Sequence, residues 1–143
     1  MELKLTAAAV EGFLADVFPQ MSDRFAILDL EPMRLSCGMK VTPQDLRPGG
    51  TVSGPTMFTA ADCAFYMVTL AMIGPEALTV TTSCTMNFMR KPGFGDLRAD
   101  ARILKLGRSL CVGDVLVYSE GIEPPVAQAS LTYSIPPAAT RLG

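Results

Sequence analysis

The sequence predicts an α+β domain in which an antiparallel β-sheet wraps around one long central helix. Three observations carry that expectation. The stretch from Pro55 to Ile73 is almost wholly apolar and long enough for about five helical turns. Four segments after it, and two before it, alternate apolar and polar residues or sit between short turns. Finally, 49% of the 143 residues are apolar and only 18% are charged, with a mean hydropathy of +0.32. A lone domain of this size cannot hide that much apolar surface, so association with further copies is expected.

Thr6 to Phe18 reads as a helix. Thr6 is a side-chain cap, Val10, Phe13, Leu14, Val17 and Phe18 fall on one face, and Pro19 ends it. Phe25 to Glu31 reads as a strand of poor alternation. Met33 to Val41 is clearer, with Met33, Leu35, Cys37, Met39 and Val41 facing away from Arg34, Ser36, Gly38 and Lys40. A loop from Thr42 to Gly54 leads into the long helix, where Pro55 suits the first turn and Gly74-Pro75 is a stop. Strands then follow at Val80–Phe88, Leu97–Leu106, Leu110–Tyr118 and Ala127–Ile135, separated by Pro92-Gly93-Phe94-Gly95, Gly107-Arg108-Ser109 and Gly121–Pro125. The order is α-β-β-α-β-β-β-β, a single domain over residues 1–143.

Composition excludes several classes of function. Net charge is −2, from 12 Lys and Arg against 14 Asp and Glu, and no basic run offers a track for nucleic acid. The chain has no histidine, which removes Ser-His-Asp and Cys-His catalysis and His-based metal sites. Cys37, Cys63, Cys84 and Cys111 form no Cys-x-x-Cys pair and sit in apolar contexts, so buried free thiols are expected and a metal is not. The long helix could suggest a membrane span, but Thr56, Thr59, Asp62 and Thr69 interrupt it, and a buried core helix is the better reading. Met1-Glu2-Leu3-Lys4-Leu5 lacks the apolar run of a signal peptide. A reducing cytoplasm is the expected location.

Two features of the helix carry chemistry. Thr59, Asp62, Tyr66 and Thr69 recur at helical spacing as one thin polar stripe. A carboxylate on a buried helix costs several kcal/mol unless it is paired, hydrated or useful. Asp62 is thus either a satisfied structural carboxylate or a nucleophile or general base in a cleft. Gly54 precedes Pro55, so its N–H lies at the positive end of the helix dipole with no side chain to obstruct a ligand. Pro55 has no N–H, which leaves Gly54 as the natural donor to a developing oxyanion.

The run Gly50-Thr51-Val52-Ser53-Gly54-Pro55, with Asp62 nine residues after Ser53, resembles the motif of hot-dog-fold acyl-CoA thioesterases of the phenylacetate-pathway (PaaI-like) type. That family shows Gly-x-Val-His-Gly-Gly and then a carboxylate nine residues past the His. Met86-Asn87-Phe88-Met89-Arg90-Lys91-Pro92 with Gly95-Asp96-Leu97 resembles its next strand and turn, and Leu106-Gly107-Arg108-Ser109-Leu110 its hairpin. The similarity runs from about Leu46 to Ile135. It implies a hot-dog fold, with Asp62 as the catalytic carboxylate, Gly54 as the backbone donor and Thr81 as a hydroxyl that positions water or the carboxylate. Ser53 stands where the motif has His, Pro55 where it has its second Gly, and Arg47 where some members carry a water-orienting Asn. Phe58 and Tyr66 would line the acyl pocket, while Arg90, Lys91 and Arg108 would hold the phosphates of coenzyme A. The resemblance implies no metal or redox cofactor, coenzyme A entering only as part of the substrate. It also implies a homodimer, assembled further into a homotetramer.

Rival readings remain on the same fold. One is a non-catalytic protein that binds acyl-CoA or an acyl carrier. Another is a hydratase or dehydratase, which normally needs a His beside the carboxylate and fits poorly here. The residues leave open which acyl group is used and whether Asp62 attacks the carbonyl or activates water.

Overall fold

The computed structural model describes residues 2–137, so Met1 and the last six residues of the expected domain lie outside the described part. Helix α1 spans Ala7–Val17 with Thr6 as its cap, the Thr6 hydroxyl accepting from Ala9 N–H at 3.1 Å. Pro19 begins a further single turn, α2 (Pro19–Ser22), rather than only ending α1. Its fixed φ suits a first helical position as well as a stop. The central helix α3 runs Gly54–Ile73 and ends at Gly74, whose φ of 102° is left-handed. The strands are β1 (Phe25–Glu31), β2 (Arg34–Met39), β3 (Val80–Phe88), β4 (Leu97–Leu106), β5 (Leu110–Ser119) and β6 (Ala127–Ser134).

All six strands pair antiparallel in the order β1-β2-β4-β5-β6-β3, and α3 lies against the inner face of β2 to β6. This is the expected hot-dog arrangement. The poor alternation of β1 has a cause: the register slips between Ile27 and Asp29, leaving Leu28 60% exposed. Glu11 of α1 accepts the Ile27 N–H at 2.8 Å beside that slip. A second bulge lies between Thr81 and Ser83 of β3. It explains a departure from the simple alternation there: before it Val80 is 53% exposed and Thr81 turns toward the helix, whereas after it Cys84 and Met86 face the core.

Thirteen of the 20 residues of α3 are buried. By length and composition the helix could cross a bilayer, yet 78% of an 18-residue apolar stretch within it is buried inside the protein. The expected polar stripe is thinner than the spacing suggested. Thr69 is fully buried and turns its hydroxyl back to Phe65 O at 2.8 Å, and Thr59 does the same to Pro55 O at 3.0 Å. The sheet can curl closely over α3 because small residues face it: Ala99 and Ala101 on β4, Gly113 on β5, Ala127 and Ala129 on β6. The Phe65 ring lies over Gly113, where a Cβ would collide with both Arg102 O and the ring.

Gly113→Ala is therefore expected to destabilise the protein by about 2 kcal/mol or more, through overpacking against Phe65 and backbone. Gly12→Ala, in α1 with open space around it, should be neutral or stabilising by up to about 1 kcal/mol. Denaturant unfolding of the two variants checks the contrast.

Candidate functional site

The chain entering α3 is held by one buried carboxylate. Asp45 closes the short 3₁₀ turn Pro43–Asp45, taking the Thr42 N–H on Oδ2 at 2.7 Å and the Arg24 guanidinium on the same oxygen at 2.5 Å. Its Oδ1 accepts from the Thr56 hydroxyl at 3.1 Å, and its carbonyl accepts Ser53 N–H at 2.8 Å. With the Thr56 proton spent on Asp45, Ser53 Oγ must donate to Thr56 Oγ1, 2.9 Å away. Ser53 Oγ also accepts Thr56 N–H at 3.3 Å and so caps α3. Burial acts to raise the Asp45 pKa, but the Thr42 N–H and the Arg24 charge outweigh it and hold the carboxyl below its usual range. The loop itself needs left-handed backbone at Gly49 and Gly50, φ 98° and 84°.

That network places Gly54 at the first position of α3. Among the described residues its N–H has no acceptor, and it borders an open groove of about 680 Å³. Arg47, Arg90 and Lys91 line the same groove, with Met57, Phe88 and Met89 as apolar wall. Arg90 also anchors its turn by donating to Pro125 O at 2.6 Å. An unpaired N–H at a helix start, with three cations around it, suits an anionic or polarised oxygen.

Asp62 opens into a different cavity of about 470 Å³, lined by Val17 and Phe18 of the α1 end, Gln20, Cys63, Tyr66, Ala77–Thr81 and Tyr133. Its Oδ1 accepts from Thr81 Oγ1 at 2.6 Å and from Tyr133 OH at 2.7 Å. Tyr133 is buried, its ring tilted against Phe65 and Tyr66 with centroids 5.3 and 6.2 Å away. Burial, and then the Asp62 charge, push its hydroxyl well up, so it stays a neutral donor. Burial raises the neighbouring Cys63 to about 12 and also raises Tyr66 and Cys84. Tyr66 does not reach Asp62; it donates to Ala77 O at 3.3 Å.

The structure thus brings Gly54, Arg47, Arg90 and Lys91 together, and separately Asp62, Thr81 and Tyr66. It does not bring Arg108 to Arg90 and Lys91 within one chain. Arg108 sits by Met72 and Ile73 at the far end of α3, since its hairpin lies at the opposite end of the sheet. Phe58 is 40% exposed on the flank of α3 and lines neither cavity, as is true of Pro55. The Ser53 hydroxyl is occupied in capping. Two residues escaped the sequence reading. Tyr133 announced itself as the one phenol among the inward positions of β6, and Asp45 by its place three residues after Thr42, a capping spacing. Among the described residues no three His, Cys, Asp or Glu side chains converge as metal ligands.

Residues 49–126 match the thioesterase superfamily. A solved protein from a Silicibacter species, assigned as a thioesterase, is 50% identical over 96% of each chain with a TM-score of 0.88. A variant of the phenylacetic acid degradation protein PaaI from Thermus thermophilus is 29% identical, over 82% of this chain and 99% of that one, at a TM-score of 0.70. A Streptococcus mutans protein solved with acetyl-CoA bound is 24% identical over 79% of this chain and 89% of that one, with a TM-score of 0.69, a likeness of fold. No curated protein sequence matches the chain.

The depressed Asp45 gives a pH signature. Its folded pKa lies below the ordinary aspartate value of 3.8, so its contribution is full above that value and is lost as pH falls through the folded pKa. Asp45→Asn should cost about 1–3 kcal/mol at neutral pH, partly by leaving Arg24 unpaired, and should flatten the acid limb of stability below about pH 4. Urea unfolding at a series of pH values measures both effects.

Proposed function

This chain belongs to the thioesterase superfamily, and we propose that it hydrolyses acyl- or aryl-acyl-CoA thioesters with Asp62 and Gly54 as its catalytic groups. The observation that carries the reading is the open carboxylate: Asp62 faces a cavity with one oxygen held by Thr81 and Tyr133. The Gly54 N–H would receive the carbonyl oxygen of the thioester and the charge that develops on it. Asp62 would then either draw a proton from water, whose oxygen adds to the carbonyl carbon, or add to that carbon itself. Collapse breaks the C–S bond and the thiolate takes up a proton; on the second route water then hydrolyses the mixed anhydride left on Asp62, so both routes end in a carboxylate, free coenzyme A and a regenerated Asp62. A single turnover in heavy-oxygen water separates the two routes, because an enzyme-derived oxygen in the first acid released marks Asp62 as nucleophile. The reaction as written needs no cofactor. Three buried cysteines and one half-buried, all free, favour a reducing cytoplasm.

A complete site takes two chains in this reading. Gly54 and Asp62 are eight residues apart, roughly 12 Å along a helix axis, too far to grip both ends of one carbonyl. Their two cavities share no lining residue. The edge strand β3 exposes Val80 and Phe88, with Leu78 and Met89 at its ends, a surface suited to a second copy. A two-fold dimer with antiparallel α3 helices would set Gly54 of each chain opposite Asp62 of the other, and such dimers would pair into a homotetramer. Arg47, Arg90 and Lys91 beside Gly54 would hold the phosphates of coenzyme A.

A screen of CoA thioesters with free-thiol detection tests the activity itself; tight binding without thiol release would instead mark an acyl-CoA-binding protein. Asp62→Asn should lower turnover by about a hundredfold or more. Gly54→Pro removes the donor N–H, and Ser53 already has the extended backbone a following proline requires, φ −77° and ψ 158°. Exchanging subunits between these two inactive variants should restore about a quarter of native activity, since half the dimers are mixed and each holds one intact site. No recovery after proven exchange would mean that each chain builds its site alone. Lys91→Ala should raise KM severalfold, by about 3- to 10-fold, for a CoA thioester and leave a pantetheine thioester unaffected.

A further inference from the structure

We propose that Tyr133 is a positioning residue that, with Thr81, reserves one oxygen of Asp62 for the reaction, an inference that rests on Asp62 being the reacting carboxylate. Thr81 and Tyr133 are direct cross-strand partners in the β3–β6 ladder, immediately before the bulge that follows Thr81. Both therefore aim at the same point on α3. Thr81 Oγ1 donates to Asp62 Oδ1 at 2.6 Å and Tyr133 OH to the same atom at 2.7 Å. A free carboxylate presents two equivalent oxygens and turns about its last bond. Two donors on one oxygen end that equivalence. Among the described residues Oδ2 has no hydrogen-bond partner, and Asp62 borders the open cavity, so Oδ2 is the atom left for chemistry.

The hydroxyl of Tyr133 is not explained by packing. Its strand neighbours on the inward face are Leu131, Ala129 and Ala127, and a phenylalanine would fill the same space without desolvating a polar group. The phenol has a single proton and two acceptors near it, Asp62 Oδ1 at 2.7 Å and Asp62 O at 2.9 Å. The ionised carboxylate is the stronger acceptor and takes it. The rings of Phe65 and Tyr66 hold the phenol in place, so it cannot swing away as substrate enters. The other titratable groups acting on this cluster are Cys63 and Tyr66 of α3 and Cys84 of β3, with Arg24 acting on Cys63 from the chain before β1; Val17, Phe18 and Gln20, which cover it from α1 and α2, carry no charge.

The test compares kcat, KM and the pH dependence of kcat/KM for the native enzyme and Tyr133→Phe, with a CoA thioester that the enzyme turns over. We expect kcat to fall about 10- to 100-fold with KM changed less than about twofold, and the acid limb to move to higher pH, because a hydrogen bond to the ionised form has been lost. Adding Thr81→Val should move the limb further, and Thr81→Ser should leave it in place. Should Tyr133→Phe fold poorly, a ring-fluorinated tyrosine at position 133 keeps the shape and strengthens the donor, so the limb should move to lower pH. A Tyr133→Phe enzyme with native kcat and an unmoved limb, or a fluorinated one with an unmoved limb, overturns the inference and leaves Tyr133 a packing residue. Full activity in Asp62→Asn would overturn the site reading instead, which keeps the two failures distinct.

Discussion

A helix with almost no polar face must be enclosed, and only a sheet that curls tightly can enclose α3. The curl depends on one close approach, the Phe65 ring seated over Gly113, flanked by the alanines of β4 and β6. Interiors are close-packed, so a ring that large can come so near the sheet only where the strand below it gives up its side chain. Everything chemical then inherits its place from this contact. With the helix fixed in the trough of the sheet, its start meets the loop held by Asp45, and its middle meets β3 and β6.

The two ends of the proposed chemistry are built differently. Gly54 is placed by a chain of side-chain hydrogen bonds, Arg24 to Asp45 to Thr56 to Ser53, anchored in loops. Asp62 is placed by the sheet, through a cross-strand pair. The backbone donor therefore depends on charge pairing near Asp45, whereas the carboxylate depends on strand register. Ser53 serves the helix start by other means than chemistry, its hydroxyl capping α3 by accepting Thr56 N–H.

Periodicity and punctuation carried the fold in the sequence. Long apolar runs, alternation and Gly-Pro stops state which face is buried, and those are local properties of neighbouring residues. Asp62 and Gly54 stood out for the same reason, a lone charge and a lone donor in an apolar helix. What was illegible needs tertiary placement. Bulges at Leu28 and Thr82 come from pairing between strands and leave no local mark. Arg108 lies in a turn like that of Arg90, and spacing along the chain does not say that the two turns stand at opposite ends of the sheet. Tyr133 is 71 residues from Asp62, so its role is invisible until β6 is laid beside β3.

Thr81 belongs to an edge strand, while the other donor to Asp62 is buried in the interior. One of the two restraints on the carboxylate is consequently mounted on the rim of the molecule, on the strand that the proposed dimer would cover. A solitary, newly made chain would hold its carboxylate with one firm hand and one loose one. Assembly would then act as a license: in the proposed dimer, the partner that supplies the opposing N–H would also cover the strand that carries Thr81. Unpaired subunits in the cell would thus be kept from squandering activated acyl groups before the enzyme is whole.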